Sequence, residues 1–181
     1  LRCLVGSEMC IRDRCYMGWR PQEMGLLRLE DVDLEKWCIT GGMKTDAGRH
    51  RTVPIHTCIR ELVKRNYDES IALGSDRLFN DPDSPKGGMK ITYDKYASRF
   101  DKVVVSLQLR SEHRPHDPRT TFITMAKKAG VDEYVVKRLA GHKITDVTEA
   151  VYTIRDIEWL RDEIEKMPGP SQTQSISNIQ T

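Results

Sequence analysis

Apolar residues recur at intervals of three or four along much of the chain, which is the spacing of one face of an α-helix. This pattern predicts amphipathic helices over 56–66, 92–107 and 155–167. The inner face of the second helix is predicted to hold Tyr93, Tyr96, Phe100, Val103, Val104 and Leu107. That of the third is predicted to hold Ile157, Leu160, Ile164 and Met167.

Helix start and stop signals add shorter helices between these stretches. Gly18 is suited to end a helix, and Pro21 is suited to the first turn of the next one. Asp117 before Pro118 predicts a helix with Asp117 as its N-cap, and that helix is expected to end at Gly130. A further helix is expected to start at Asp132 and end at Gly141, and another to start near 145–146.

A short stretch near the amino end has strand character instead. Residues 37–40 and 51–55 are rich in β-branched and aromatic residues, and the turn signal 46–48 lies between them. Residues 30–33 are predicted to form a turn. The chain is therefore predicted to be α+β and mostly helical, with one small antiparallel β-sheet near the N-terminus.

Composition excludes some classes of protein. Charged residues make up 31% and hydrophobic residues 38% of the 181 residues, which is ordinary for a globular domain. No apolar run approaches the roughly 18 residues of a membrane span, so no membrane contact is expected. The net charge is only +2, so nucleic-acid binding has to depend on local basic clusters. The five cysteines show no metal-binding or disulfide spacing, which favours reduced thiols in the cytoplasm.

The two ends of the chain differ from the middle. Residues 1–14 fit neither a helical nor a strand period and are interpreted as a non-native leader, so the native sequence is expected to begin near Cys15 after losing an upstream part. Residues 15–167 form the predicted domain. Residues 168–181 lack the apolar content to order themselves and are predicted to be a flexible tail.

Four short motifs carry the candidate chemistry. They are Gly18-Trp19-Arg20-Pro21-Gln22-Glu23, His116-Asp117-Pro118-Arg119, Leu139-Ala140-Gly141-His142, and Val151-Tyr152-Thr153. In this order they resemble the active-site boxes of the tyrosine recombinases, the phage integrase family. Phrases around the last two motifs are similar to those of conjugative-transposon integrases. The resemblance covers 17–167 and implies the family's catalytic fold.

The resemblance also implies a role for each residue. Tyr152 is expected to attack a DNA phosphate and form a 3′-phosphotyrosine link. Phosphate-clamping roles fall to Arg20, Arg119 and His142, the general-acid role to Lys44, proton transfer to His116, and orientation of Arg20 to Glu23. Arginines can neutralise the charge that builds up on the phosphate, so neither a metal nor another cofactor is expected.

Charge and position indicate further contacts with DNA. Arg49, Arg51 and Arg114 are expected to bind DNA, although Arg49 or Arg51 could be mistaken for the general-acid Lys44. His113 is expected to lie on the loop surface or to contact a phosphate. Two positions depart from the family pattern: Thr120 stands where many relatives have histidine, and Pro118 where an aliphatic residue is commoner.

The resulting hypothesis is a mobile-element integrase acting on double-stranded DNA in the bacterial cytoplasm. A homo-tetramer formed through the C-terminal helix, 156–167, is expected, although the same helix could pack on its own domain. Two other functions stay open at this point. One is DNA relaxation by a type IB topoisomerase, which shares the chemistry. The other is DNA binding by a truncated, non-catalytic module, because the chain is expected to have lost the upstream DNA-clamping domain that the resemblance implies.

Overall fold

A computed structural model of the chain describes residues 11–12, 14–43, 48–84, 90–144 and 156–170. Two of the predicted catalytic residues, Lys44 and Tyr152, lie outside the described residues, as does the helix expected near 145–146. No helix in the described ranges is long and apolar enough to cross a membrane.

The described part is mostly helical, as predicted. Its helices are α1 (Pro21–Met24), α2 (Arg60–Ala72), α3 (Tyr93–Ser106), α4 (Asp117–Lys128), α5 (Glu133–Ala140) and α6 (Ile157–Ile164). Short 3₁₀ turns span Leu29–Asp31 and Thr57–Ile59. The strands are β1 (Val32–Asp33), β2 (Cys38–Gly41) and β3 (Arg51–Pro54).

The three strands form one antiparallel sheet in the order β1-β2-β3. Ile39 at its centre pairs with Val53 on one side and Val32 on the other. Ile39 and Val53 are completely buried, so one face of the sheet belongs to the core. The prediction of a plain turn over 30–33 was wrong, because Val32–Asp33 pairs with β2. A strand of two residues is too short to show a period in the sequence.

Two predicted helices differ in detail. α2 runs to Ala72, beyond the predicted end near residue 66. The last two turns do not continue the apolar pattern, because the buried residues there, such as Asn66 and Ser70, are polar. In α3 the central positions Tyr96 and Phe100 are buried as expected. Tyr93 and Leu107, at the two ends, are 43% and 54% exposed, because the helix projects beyond the core there.

The last helix packs on its own chain. Leu160, Ile164 and Met167 are buried in the same apolar cluster as the sheet. Just beyond the helix, Tyr16 Oη donates to the carbonyl of Pro168 at 2.9 Å, and His56 Nε2 lies 3.1 Å from the carbonyl of Met167. The described chain therefore stays in contact with the domain slightly past residue 167, where the tail was predicted to begin.

The residue just before the expected start of the domain packs inside the protein. Arg14, assigned to the leader, is completely buried. Its Nε donates to the carbonyl of Trp19 at 3.0 Å, and its Nη1 contacts Tyr96 Oη and the carbonyl of Pro115. Arg14 thus lies inside the domain, one residue before the predicted start. Arginine does not signal an interior position in a sequence, which is why this contact could not be anticipated.

Candidate active site

Arg20 is held at the start of α1 by the carboxylate of Glu23. Gly18 has φ +68°, a left-handed conformation that turns the chain just before Arg20. The backbone N–H of Arg20 donates to Glu23 Oε2 at 2.7 Å, and Arg20 Nη1 donates to Glu23 Oε1 at 3.2 Å. One carboxylate therefore holds both the backbone and the side chain of Arg20, and an orienting role for Glu23 in catalysis stays a prediction.

Arg119 projects from α4 towards the same loop. Its side chain is almost entirely buried, and Nη1 donates to the carbonyl of Gly18 at 2.5 Å. Gly18 has to be glycine, because a Cβ there would lie 2.5 Å from Phe122 Cδ1. Burial, together with the positive charge of Arg20, lowers the pKa of Arg119 to about 10. In the described residues no carboxylate forms a direct ion pair with Arg119.

The loop after α5 brings His142 to these two arginines. Gly141 ends α5 with φ +66°, as predicted, and its carbonyl accepts from Arg20 Nη2 at 3.1 Å. The exposed His142 follows immediately. Partial burial lowers the pKa of His142, and the positive charges of Arg119, Arg20 and Arg51 lower it further. The imidazole is therefore neutral near pH 7 and lies within the field of the arginine cluster.

His116 lies at the N-terminus of α4 and is also exposed. Partial burial and the charges of Arg119, Arg14 and Arg20 lower its pKa, so this imidazole too is neutral near pH 7. The predicted cap was one residue late, because His116 is the N-cap and Asp117 is the first helical residue. Here Asp117 instead accepts from the backbone N–H of Arg114 at 3.0 Å.

His113 pairs with the carboxylate of Asp117. Its Nδ1 lies 3.1 Å from Asp117 Oδ2, an interaction within one turn of chain. The side chain is only partly exposed. This pairing agrees with a surface position in the loop, and the suggested phosphate contact stays a prediction.

The placement of Arg51 corrects the expected DNA contact. Arg51 is only 3% exposed, and its guanidinium pairs with Glu23 at 2.7 Å. The ring of Trp19 lies 4.1 Å from the guanidinium carbon. Each guanidinium nitrogen of Arg51 donates to a group of the protein itself, so this side chain is a structural link and not a DNA contact. The alternation of side chains along β3 could have shown this burial from the sequence. Arg51 lies two residues from the buried Val53, so the two side chains share one face of the strand.

The other expected DNA contacts are accessible. Arg49 and Arg114 are both exposed, and their contact with DNA stays a prediction. Among the described residues, no group of three or more His, Cys, Asp and Glu side chains could hold a metal ion. The positions of Lys44 and Tyr152 relative to the arginines lie outside the described residues.

The described residues thus assemble three sequence-distant motifs at one surface. Arg20, Arg119 and His142 are linked through the carbonyls of Gly18 and Gly141, and His116 lies within the same electrostatic field. Forked guanidinium groups and neutral imidazoles at one place are suited to bind an anion such as phosphate and to exchange protons with its substituents.

Known proteins resemble this chain over most of its length. The profile of the phage integrase family matches residues 10–158. The tyrosine recombinase XerA of Pyrococcus horikoshii is 31% identical over 156 residues, covering 82% of this chain and 50% of that protein. XerA of Saccharolobus solfataricus is 26% identical over 169 residues, covering 93% and 53%. The chain therefore spans about half the length of the curated relatives it matches.

Solved structures share the fold. The integrase from mycobacterium phage Brujita superposes with a TM-score of 0.67 at 19% identity, covering 92% of this chain and 55% of that one. The Tn1549 transposon integrase, solved in complex with circular intermediate DNA, superposes with a TM-score of 0.63 at 21% identity, covering 89% and 58%. With the family profile matching most of its length and the motifs brought together in space, this chain belongs to the phage integrase family.

Proposed function

We propose that this chain carries the DNA-breaking and rejoining chemistry of a site-specific recombinase of the mobile-element integrase type. The observation that carries the proposal is the convergence of Arg20, Arg119 and His142, although Arg20 and His142 are more than 100 residues apart in the sequence. Arg20 Nη2 reaches the residue before His142, and Arg119 Nη1 reaches the loop before Arg20.

In the proposed reaction Tyr152 attacks a DNA phosphate, forming a phosphorus–oxygen bond to tyrosine while the bond to the 5′-oxygen breaks. Arg20 and Arg119 neutralise the charge on the non-bridging oxygens, with His142 as a further donor. The neutral His116 is suited to take the tyrosine proton, and Lys44 to give one to the departing 5′-oxygen. The reverse sequence rejoins the strand without ATP.

The electrostatics support an anionic substrate. The pKa values of Arg119, His116 and His142 are all lowered, and in each case neighbouring positive charge contributes to the shift. Binding a phosphate dianion or diester removes part of this mutual repulsion, so the cluster gains from an anion. The integrase of transposon Tn1549, with which the chain shares its fold, was solved with DNA, which supports double-stranded DNA as the partner.

We further propose a homo-tetramer assembled on DNA in the bacterial cytoplasm, since rejoining exchanged strands needs several active sites. The inner face of α6 is occupied by its own chain, with Leu160 and Ile164 buried. A neighbouring copy would therefore use the outer face of the C-terminal helix, 156–167, or displace the helix. Arg49 and Arg114, both exposed, remain the proposed accessory DNA contacts.

Covalent trapping tests the catalytic proposal. The chain is incubated with a library of nicked DNA duplexes of randomised sequence, in which the released strand diffuses away, and protein–DNA adducts are separated in SDS. We expect the unaltered chain to form an adduct and Tyr152→Phe to form none, because phenylalanine has no nucleophile. DNA binding of the variant, measured by mobility shift, is expected to change little.

The control Tyr67→Phe removes a hydroxyl from α2, away from the motifs, and should leave the adduct yield unchanged. An adduct that persists in Tyr152→Phe contradicts the assignment of the nucleophile. Salt-sensitive DNA binding without any adduct from the unaltered chain would indicate the non-catalytic module. Relaxation of a supercoiled plasmid without recombination would indicate the topoisomerase.

A further inference from the structure

Arg51 links two parts of the candidate site through the hydrogen bonds of its guanidinium group. On one side, Nη2 donates to Glu23 Oε2 at 2.7 Å and Nη1 donates to Glu23 Oε1 at 3.0 Å. The same carboxylate accepts from the backbone and from the side chain of Arg20. On the other side, Nε donates at 2.9 Å to the carbonyl of Leu139, in the last turn of α5. A buried side chain of β3 therefore joins the carboxylate that holds Arg20 to the helix that precedes His142.

The position of His142 follows the position of the end of α5. The carbonyls in the last turn of a helix have no partner within the helix, and Arg51 Nε donates to that of Leu139. The backbone N–H of His142 donates to the carbonyl of Lys137 at 2.9 Å, so His142 is bonded directly to the same turn. The positive guanidinium group also suits the negative end of the helix dipole. A shift of this turn would therefore move His142 with it.

The guanidinium group is packed directly against the residue before His142. A Cβ on Gly141 would lie 3.1 Å from Arg51 Nη1 and 3.2 Å from Arg51 Cζ, a separation that ordinary side chains rarely show. The carbonyl of the same glycine accepts from Arg20 Nη2 at 3.1 Å. The centre of the Trp19 ring lies 4.1 Å from Arg51 Cζ. Arg51 is therefore confined by the loop before Arg20 and by the loop that carries His142.

We propose that Arg51 is a positioning residue for the phosphate site: by joining the carboxylate that holds Arg20 to the end of α5, it sets the position of His142 relative to Arg20. This inference rests on the proposed function, because that function makes Arg20 and His142 partners on one DNA phosphate. Arg51 itself touches no substrate, since Nε, Nη1 and Nη2 all donate to groups of the protein. It acts only through the two parts of the site that it joins.

Lysine cannot make the same set of bonds. The planar guanidinium group donates in one rigid geometry to both oxygens of Glu23 and to the carbonyls of Leu139 and Gly48, the last at 2.7 Å. An ammonium group is a point donor on a flexible stem. Arg51→Lys therefore keeps the positive charge beside Glu23 but leaves the end of α5 free to shift. Misplacing a catalytic group by about 1 Å can cost on the order of 100-fold in rate.

A double-mutant cycle tests whether Arg51 acts through His142. The rate of covalent trapping on nicked duplexes of randomised sequence is measured with and without Arg51→Lys in three backgrounds, which are the unaltered chain, His142→Ala and His116→Ala. His116 is the comparison because it lies at the start of α4, and within the described ranges Arg51 donates to no group of that helix. We expect Arg51→Lys to slow adduct formation by about tenfold or more in the unaltered chain and in His116→Ala. In His142→Ala the slowing should be less than about threefold, because the group that Arg51 positions is already absent.

Arg60→Lys is the matched control. Arg60 is also close to a tryptophan, with its guanidinium carbon 5.3 Å from the centre of the Trp37 ring. Its Nε donates to the carbonyl of Ile55 at 3.3 Å, and its Nη2 lies 3.8 Å from a carboxylate oxygen of Glu165, so these contacts involve neither α1 nor α5. Arg60→Lys should leave the rate unchanged in each of the three backgrounds. The folded fraction of each variant, measured by circular dichroism, is used to normalise the rates.

The outcomes separate the role of Arg51 from the proposed function. Equal slowing by Arg51→Lys in all three backgrounds, or no slowing in the unaltered chain, overturns the role of Arg51 and leaves the recombinase chemistry in place. Absence of any adduct from the unaltered chain overturns the proposed function and, with it, this inference. If Arg51→Lys does not fold, Arg51→Gln replaces it in the cycle, because Glu23 keeps its ion pair with Arg20 at 3.2 Å. The same dependence on His142 is expected of that variant.

Discussion

The carboxylate of Glu23 lies between two guanidinium groups, those of Arg20 and Arg51, and is completely buried. Burial pushes the pKa of Glu23 upward, but the hydrogen bonds and charges of Arg51 and Arg20 outweigh it and hold the pKa below its ordinary value of 4.5. The ionised form is thus the one the fold requires. Removing its charge leaves two guanidinium groups facing each other.

Glu23→Gln should therefore destabilise the domain strongly. Breaking a buried ion pair by removing one partner costs about 3–5 kcal/mol, because the other charge stays buried without compensation. Urea denaturation followed by circular dichroism measures the loss. Glu61→Gln, at an exposed position of α2, is the control and should change stability by less than about 0.5 kcal/mol.

The ion pair between Glu23 and Arg51 also makes the stability of the fold depend on pH, in a direction that can be stated. The folded state binds the Glu23 proton less readily than the unfolded state, so its contribution to stability is present above pH 4.5 and is lost as the pH falls through the lowered folded-state pKa. Part of the decrease in the free energy of unfolding at acidic pH should therefore be absent in Glu23→Gln. An unchanged slope together with a small loss of stability at pH 7 would contradict the structural role of this carboxylate.

Single residues also show where sequence reasoning succeeds and fails. Arg20 with Glu23, and His116 with Arg119, are recognisable because their spacing of three places them on one helical turn. Arg51 was misassigned because a basic residue beside a hairpin suggests a surface. Its true environment depends on Glu23, 28 residues away, and on a carbonyl 88 residues away. Such partners exist only in the folded chain.

At the scale of secondary structure, the two ends of α5 were predicted correctly from local signals. Gly141 ends α5 in a left-handed conformation, and Asp132 caps its start by accepting from the backbone N–H groups of Tyr134 and Val135. These signals depend only on neighbouring residues, so they can be recognised in the sequence. The short β1 was missed because its only support is pairing with β2, which is a non-local interaction.

Gly141 illustrates an element end that also serves the site. Gly141→Ala should lose about 1–2 kcal/mol of stability, since alanine is strained at φ +66°, and its Cβ would also press on Gly48. Because the carbonyl of Gly141 accepts from Arg20, we also expect adduct formation to fall by about tenfold or more. Thermal melts and covalent trapping measure the two effects.

Gly130→Ala is the matched control for this substitution. Gly130 has φ +72°, so it carries the same backbone strain, but nothing lies within 4 Å of an added Cβ. It should lose similar stability and keep its adduct yield. Equal losses of adduct in both variants would mean that the effect of Gly141→Ala is only one of folding.

For the molecule as a whole, the sequence predicted the class of fold and most of the core but not where the last helix packs. Its apolar stripe of Leu160, Ile164 and Met167 was recognised from spacing alone. An amphipathic face requires a partner, and the sequence of a single chain does not specify whether that partner is the same chain or another copy. In the structure the partner is the chain's own core, next to β3.

Because of this packing, α6 should stabilise the fold of a single chain without the help of a second copy. Leu160→Ala removes a side chain that is 3% exposed, so it should lower the free energy of unfolding by about 2–4 kcal/mol. Because the contact is intramolecular, the loss should be the same in urea denaturation at low and at high protein concentration. Glu158→Ala, on the exposed side of the same helix, should have almost no effect. A loss from Leu160→Ala that appears only at high concentration would mean that a neighbouring copy, rather than its own domain, holds the helix in solution.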